Sequence, residues 1–104
     1  MTKNKINFYF LNDTGCKWTR GDGISQGELS LNGNFENKWD CYRACVKKKS
    51  SHYNHQRNKS INGATYHTRN KKCFCEKAMR SIDKSDRKYI TCRFAPVVKY
   101  KKDN

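Results

Sequence analysis

Apolar residues along this chain recur at two periods, and each change of period marks out an element. Ile6-Asn7-Phe8-Tyr9-Phe10-Leu11 predicts a first strand. Leu29 and Leu31 alternate with Glu28 and Ser30 as a second short strand, which breaks at Asn32-Gly33, a dipeptide suited to tight turns. Between the two lies a polar stretch carrying Cys16, Trp18 and the glycines Gly21, Gly23 and Gly27. The period then becomes helical: Trp39, Tyr42 and Val46 share one stripe with Cys41 and Cys45, and that stripe is predicted to face the core. Asn34 or Asn37 is the candidate cap. Glu36 and Asp40 sit near the positive end of this helix, and Lys47, Lys48 and Lys49 near its negative end, as the macrodipole prefers.

Residues 50–62 are polar and aperiodic, which predicts a long surface loop. Asn62-Gly63 then turns into a strand over Ala64-Thr65-Tyr66-His67-Thr68, and Arg69 to Lys71 turns it back into a strand at Cys73-Phe74-Cys75, giving a hairpin. The segment from Ala78 to Asp86 has no period that decides between a helical turn and a loop. Tyr89-Ile90-Thr91-Cys92-Arg93-Phe94 alternates as a further strand, and Val97-Val98 with Tyr100 adds an edge segment beyond Pro96. No internal repeat or linker divides residues 1–104, which form one domain.

The cysteines decide how these elements meet. Four helical residues advance about 6 Å and return to the same face, while two strand residues advance about 6.6 Å and do the same. Cys41 and Cys45 on the helix therefore match Cys73 and Cys75 on the strand. Pairing Cys41 with Cys73 and Cys45 with Cys75 bends neither element, and it leaves Cys16 and Cys92 to tie the ends together. Six cysteines allow fifteen full pairings, of which this spacing selects one. A zinc site using Cys73 and Cys75 with His52, His55 and His67 is the competing use, although zinc knuckles space paired cysteines within a tight turn and Cys41 and Cys45 lie in a helical pattern. Thioredoxin chemistry needs Cys-x-x-Cys, which neither pair has. The predicted fold class is a small, disulfide-rich α+β domain, with one main helix packed on an antiparallel β-sheet.

Only 35% of the residues are apolar, so the core is small and cross-links compensate. Residues 6–11 are too few for a signal-peptide core or a membrane span, and no transmembrane segment is expected. Disulfides of this density belong to an oxidising compartment. The expectation is a secreted, extracellular domain whose leader has been removed, with Met1 an added residue.

Trp39-Asp40-Cys41-Tyr42-Arg43-Ala44-Cys45, Asn62-Gly63-Ala64-Thr65-Tyr66, Cys73-Phe74-Cys75-Glu76 and Thr91-Cys92-Arg93-Phe94 together resemble PAN/apple domains, most closely the divergent versions in secreted invertebrate proteins. The resemblance runs from about residue 8 to residue 96. It implies a Cys-x-x-x-Cys helix on an antiparallel sheet, a first-to-last disulfide matched by Cys16 and Cys92, and a binding or assembly role toward proteins or carbohydrates. Many members carry a cysteine between the helix and the Thr-Tyr strand, whereas here the additional one is Cys75. A second resemblance, to cysteine-stabilised αβ toxins and defensins, rests on the two cysteine spacings alone.

The formal charge is +14, and its distribution says more than its size. From Cys41 through Cys75 there is no Asp or Glu, while Arg43, Lys47, Lys48, Lys49, Arg57, Lys59, Arg69, Lys71 and Lys72 supply nine positive charges. These nine are the candidate anion-binding residues, expected to gather at neighbouring places if helix and hairpin pack together. Such a patch attracts polyanions with a steep dependence on salt. The competing reading is a solvated face in a chain rich in lysine and asparagine. Trp18, in a glycine-rich polar loop, is the candidate exposed aromatic contact. Asn12-Asp13-Thr14 and Asn58-Lys59-Ser60 make Asn12 and Asn58 candidate N-glycosylation sites.

No catalytic residues are assigned. The three histidines beside lysines resemble those of small basic ribonucleases, but the local motifs of that family are missing, as are paired carboxylates, a nucleophile elbow and a phosphate loop. Neither a cofactor nor a bound metal is expected. The expected function is a non-catalytic extracellular binding or adhesion module for an anionic polysaccharide or an extracellular protein partner. Alternatives are a self-associating structural subunit of a fibre or matrix and a cationic host-defence or toxin-like protein. A dedicated nucleic-acid partner is not expected, because no DNA- or RNA-binding signature is present.

Overall fold

A computed structural model describes residues 15–51 and 55–95. The chain order is β1 (Cys16–Arg20), β2 (Asp22–Ile24), β3 (Gly27–Ser30), α1 (Lys38–Ser50), α2 (His55–Asn58), β4 (Ile61–His67), β5 (Lys72–Lys77), β6 (Ser81–Asp83) and β7 (Tyr89–Phe94). Five strands form one antiparallel sheet in the order β1-β7-β4-β5-β3, and β2 pairs with β6 as a separate two-stranded ribbon.

The helix starts where Asn37 accepts a hydrogen bond from the Asp40 amide at 3.0 Å, which satisfies one of the donors that open every helix. Its buried stripe is Cys41, Tyr42, Cys45 and Val46. This stripe packs on the face of the sheet carrying Ala64, Tyr66, Cys73, Cys75, Cys92 and Phe94, residues that alternate along their strands as the pleat requires. Tyr42 meets Phe94 edge-on at 5.5 Å, and the Tyr66 hydroxyl donates to the Phe35 carbonyl at 2.6 Å. Three disulfides complete the core: Cys41–Cys73, Cys45–Cys75 and Cys16–Cys92, with Cα separations of 5.4, 5.3 and 5.4 Å. These are the pairings that the spacing selects, and they occupy the cysteines a zinc site would need. The α+β class, with one main helix on an antiparallel sheet, holds.

Several segments differ from their sequence reading. The polar stretch around Cys16 is strand β1, held at the sheet edge by pairing with β7. The undecided segment after Ala78 contains β6, whose partner is β2. Residues 50–62 are not all loop: His55–Asn58 makes a turn of helix, and β4 begins at Ile61, three residues before the predicted strand. Residues 6–11 and 97–100 lie outside the described residues.

The second face of the sheet is covered by the ribbon. Gly21, at φ 128°, turns the chain from β1 into β2, a conformation that favours glycine. A buried polar chain lies beneath: Ser25 Oγ donates to Glu76 at 2.7 Å, Thr65 Oγ1 donates to the same carboxyl at 2.5 Å, and Thr91 Oγ1 lies 2.8 Å from Thr65 Oγ1. Thr91 in turn donates to the Gly21 carbonyl at 2.8 Å.

Candidate functional site

The disulfides fix which way α1 runs over the hairpin. Cys41 sits over Cys73, near the β4–β5 turn, and Cys45 over Cys75, farther along β5, so the helix C-terminus points toward the start of β4. The nine candidate cations therefore do not form one patch. Lys47, Lys48 and Lys49 meet Arg57 and Lys59 at one end of the sheet, while Arg69, Lys71 and Lys72 surround the turn at the other. The seven residues of β4 separate these ends, a span of about 20 Å at roughly 3.3 Å per residue. Arg43 belongs to neither group, since it pairs with Asp40 at 3.4 Å on the helix.

At the helix end, Lys47, Lys48, Arg57 and Lys59 are exposed. Lys49 is turned inward, its ammonium donating to the Lys59 carbonyl at 2.7 Å, and burial lowers its pKa. This lysine holds α1 to the segment leading into β4.

The turn end has a concave shape. His67, Thr68, Arg69 and Asn70 from the β4–β5 turn face Arg87 and Lys88 from the β6–β7 connection across a cleft of about 390 Å³. Local bonding shapes both walls. The Asn70 amide donates to His67 Nδ1 at 3.0 Å, and the Lys71 amide to the His67 carbonyl at 2.8 Å, so the neutral ring carries its proton on Nε2. In the segment that leads to the opposite wall, Asp83 accepts from the Ser85 amide and hydroxyl at 3.0 and 2.7 Å, which holds its carboxyl below the ordinary range. Asp86 accepts the Lys88 amide at 3.1 Å. The Thr68 amide bonds the Lys88 carbonyl at 3.3 Å and joins the walls.

Cations thus converge from two loops. Among the described residues no carboxylate lines the cleft, and no ion pair engages Arg69, Arg87 or Lys88. Beside it, His67 meets Tyr89 edge-on at 4.9 Å, and Tyr89 meets Phe74 at 6.3 Å, so a half-buried aromatic row leads away from the charges. Tyr89 itself has its phenol pKa raised by burial and by Asp22, Asp86 and Glu28.

Arg87 and Lys88 were not among the candidates read from sequence. What brings them there is the register that pairs Tyr89 with His67, which sets residue 88 beside the turn after residue 67. Trp18 is not an exposed loop residue. It sits in β1 opposite Cys92, half-buried against the core and edge-on to Trp39 at 6.1 Å, because the β1–β7 pairing turns its side chain to the helix face. Asn58 is buried at 7% exposure, so the folded domain does not present its amide as a glycan acceptor. Asn12 lies outside the described residues, as does His52.

No family model, curated protein or solved structure matches the chain.

Proposed function

We propose that the chain is an extracellular, non-catalytic binding module with a PAN/apple-like plan, which holds an anionic glycan or matrix partner in the cleft between the β4–β5 turn and the β6–β7 connection. The observation carrying this reading is the convergence of Arg69, Arg87 and Lys88 on one concavity that no carboxylate lines among the described residues. Cations held together without counter-charges repel one another, and a polyanion relieves that repulsion. Guanidinium groups also suit planar or tetrahedral oxyanions through paired N–H donors. The three disulfides fit an oxidising compartment, and no helix among the described residues is long and apolar enough to cross a membrane.

Elution from immobilised heparin against a salt gradient tests the reading. The parent protein is expected to elute well above a control of equal net charge. Arg69→Ala combined with Arg87→Ala is expected to weaken binding about tenfold or more, in line with the worth of hydrogen bonds to charged groups. Lys47→Ala with Lys48→Ala, which removes the same charge from the other end, has a smaller effect. Equal losses from the two pairs would mean that charge alone acts and the cleft does not. Retention no greater than that of the control would refute glycan binding.

A further inference from the structure

Glu76 is fully buried, yet it lies in a strand register directly opposite Glu28. A carboxylate oxygen from each of Asp22, Glu28 and Glu76 lies within 4.8 Å of the others. Two carboxylates facing each other across strands repel, and an ionised carboxyl out of water is costlier still. The arrangement is stable when Glu76 is neutral: it then accepts from Ser25 and Thr65 and shares a hydrogen bond with Glu28. Asp22 belongs to β2, so the cluster lies where the two-stranded ribbon rests on the main sheet. The fit there is close, since a Cβ on Gly23 would stand 2.9 Å from Glu76 Cδ and 2.6 Å from Met79 Sδ.

We propose that Asp22, Glu28 and Glu76 form a proton-held latch: the β2–β6 ribbon stays shut over the sheet while Glu76 carries its proton and opens as that proton is lost. Among the described residues, the groups around Glu76 leave no counter-ion to replace the proton. Glu28 faces it from β3 and Asp22 from β2, while Ser25, Thr65 and Thr91 contribute only hydroxyls. Arg93, across Gly63 in the register, spends its guanidinium on the carbonyls of Met79 and Arg80 at 3.1 and 3.0 Å. Asp83 and Asp86 add negative charge around Asp22, whose own pKa is raised by burial, Glu28 and Asp86. Tyr89 stays neutral beside them.

Burial first, and then Glu28, push the Glu76 carboxyl from 4.5 up to about 8 when the ribbon is shut, against the lowering effect of the Thr65 and Ser25 hydroxyls. With the ribbon open, water reaches the carboxyl and its ordinary value returns. Below 4.5 both states hold the proton and the ribbon is tightest. Between 4.5 and about 8 only the shut state holds it, so opening increases up to about tenfold per pH unit and then levels off. The ribbon yields before the sheet because each of its strands is three residues long, whereas the opposite face of the sheet is bridged twice to α1. Opening also loosens one wall of the cleft, because Arg87 and Lys88 lie between β6 and β7. That coupling rests on the cleft reading above; the latch does not.

Hydrogen exchange followed by mass spectrometry from pH 5 to 9, corrected for the intrinsic base-catalysed rate, tests the latch without any ligand. Protection of the amides in Asp22–Ile24 and Arg80–Asp83 is expected to fall roughly a hundredfold between pH 5.5 and 7.5 and to flatten above 8, while amides in β4, β5 and β7 keep theirs. Glu76→Gln, which keeps shape and hydrogen bonding without the charge, is expected to hold the acid-level protection at every pH. Should that variant not fold, Glu28→Gln is expected to give a shallower fall than the parent. Ribbon protection independent of pH in the parent, an unchanged fall in Glu76→Gln, or a parallel loss in β4, β5 and β7 would each overturn the proposal. The heparin comparison of the two double variants, made alongside, separates the two readings, since equal losses there overturn the cleft and leave the exchange result for the latch unchanged.

Discussion

Two positions outside the core, Asn37 and Gly23, each constrain the fold through one local contact. Asn37 caps α1 by accepting the Asp40 amide. Asn37→Ala is expected to lower unfolding stability by about 1 kcal/mol, read as a lower denaturant midpoint at unchanged m-value. At Gly23 the restriction is space. A methyl group there collides with Met79 and Glu76, so Gly23→Ala is expected to raise exchange in β2 and β6 at every pH, whereas Gly27→Ala, which meets nothing within 4 Å, leaves it unchanged. The cap was legible because Asn before an acidic first turn is a local signal. The role of Gly23 was not, because the residues it touches arrive from β5 and the segment after it.

The helix and hairpin form one mechanical element. Cys41–Cys73 and Cys45–Cys75 span 32 and 30 residues and close nearly the same loop, so either alone supplies most of the loop-closure stabilisation, roughly 3 to 4 kcal/mol in the chain-entropy model. Replacing one pair by Ala is therefore expected to cost clearly less than replacing the second pair afterwards, and a double-mutant cycle in urea measures the difference. Equal costs would show that the bridges act independently. This element was readable from sequence because both periods and both cysteine spacings are local. Strand β1 was not: Cys16-Lys17-Trp18-Thr19-Arg20 carries one buried side chain and gains its extended form from β7. Nor was the ribbon, whose three-residue strands are too short to show a period. Arg87 and Lys88 stayed hidden for a related reason, since only the long-range register of β4 with β7 brings them to the turn.

Across the described residues as a whole, the positive charge that looks continuous in sequence is divided between two ends, one of which holds the cleft. Single-file reading could find the charges and not their separation, which depends on the direction of α1 over the hairpin. A consequence also follows for how the domain survives digestion. Every bridge joins a cysteine in the first half of the chain (16, 41 or 45) to one in the second (73, 75 or 92), so the lysine- and arginine-rich stretch between Cys45 and Cys73 is spanned three times over. Trypsin acting at exposed Lys47, Lys48, Arg57 or Lys59 is expected to add the mass of one water per cut and release nothing larger than a peptide from that stretch. Only a reductant then parts the two nicked halves, so a break in this exposed stretch leaves the domain covalently whole.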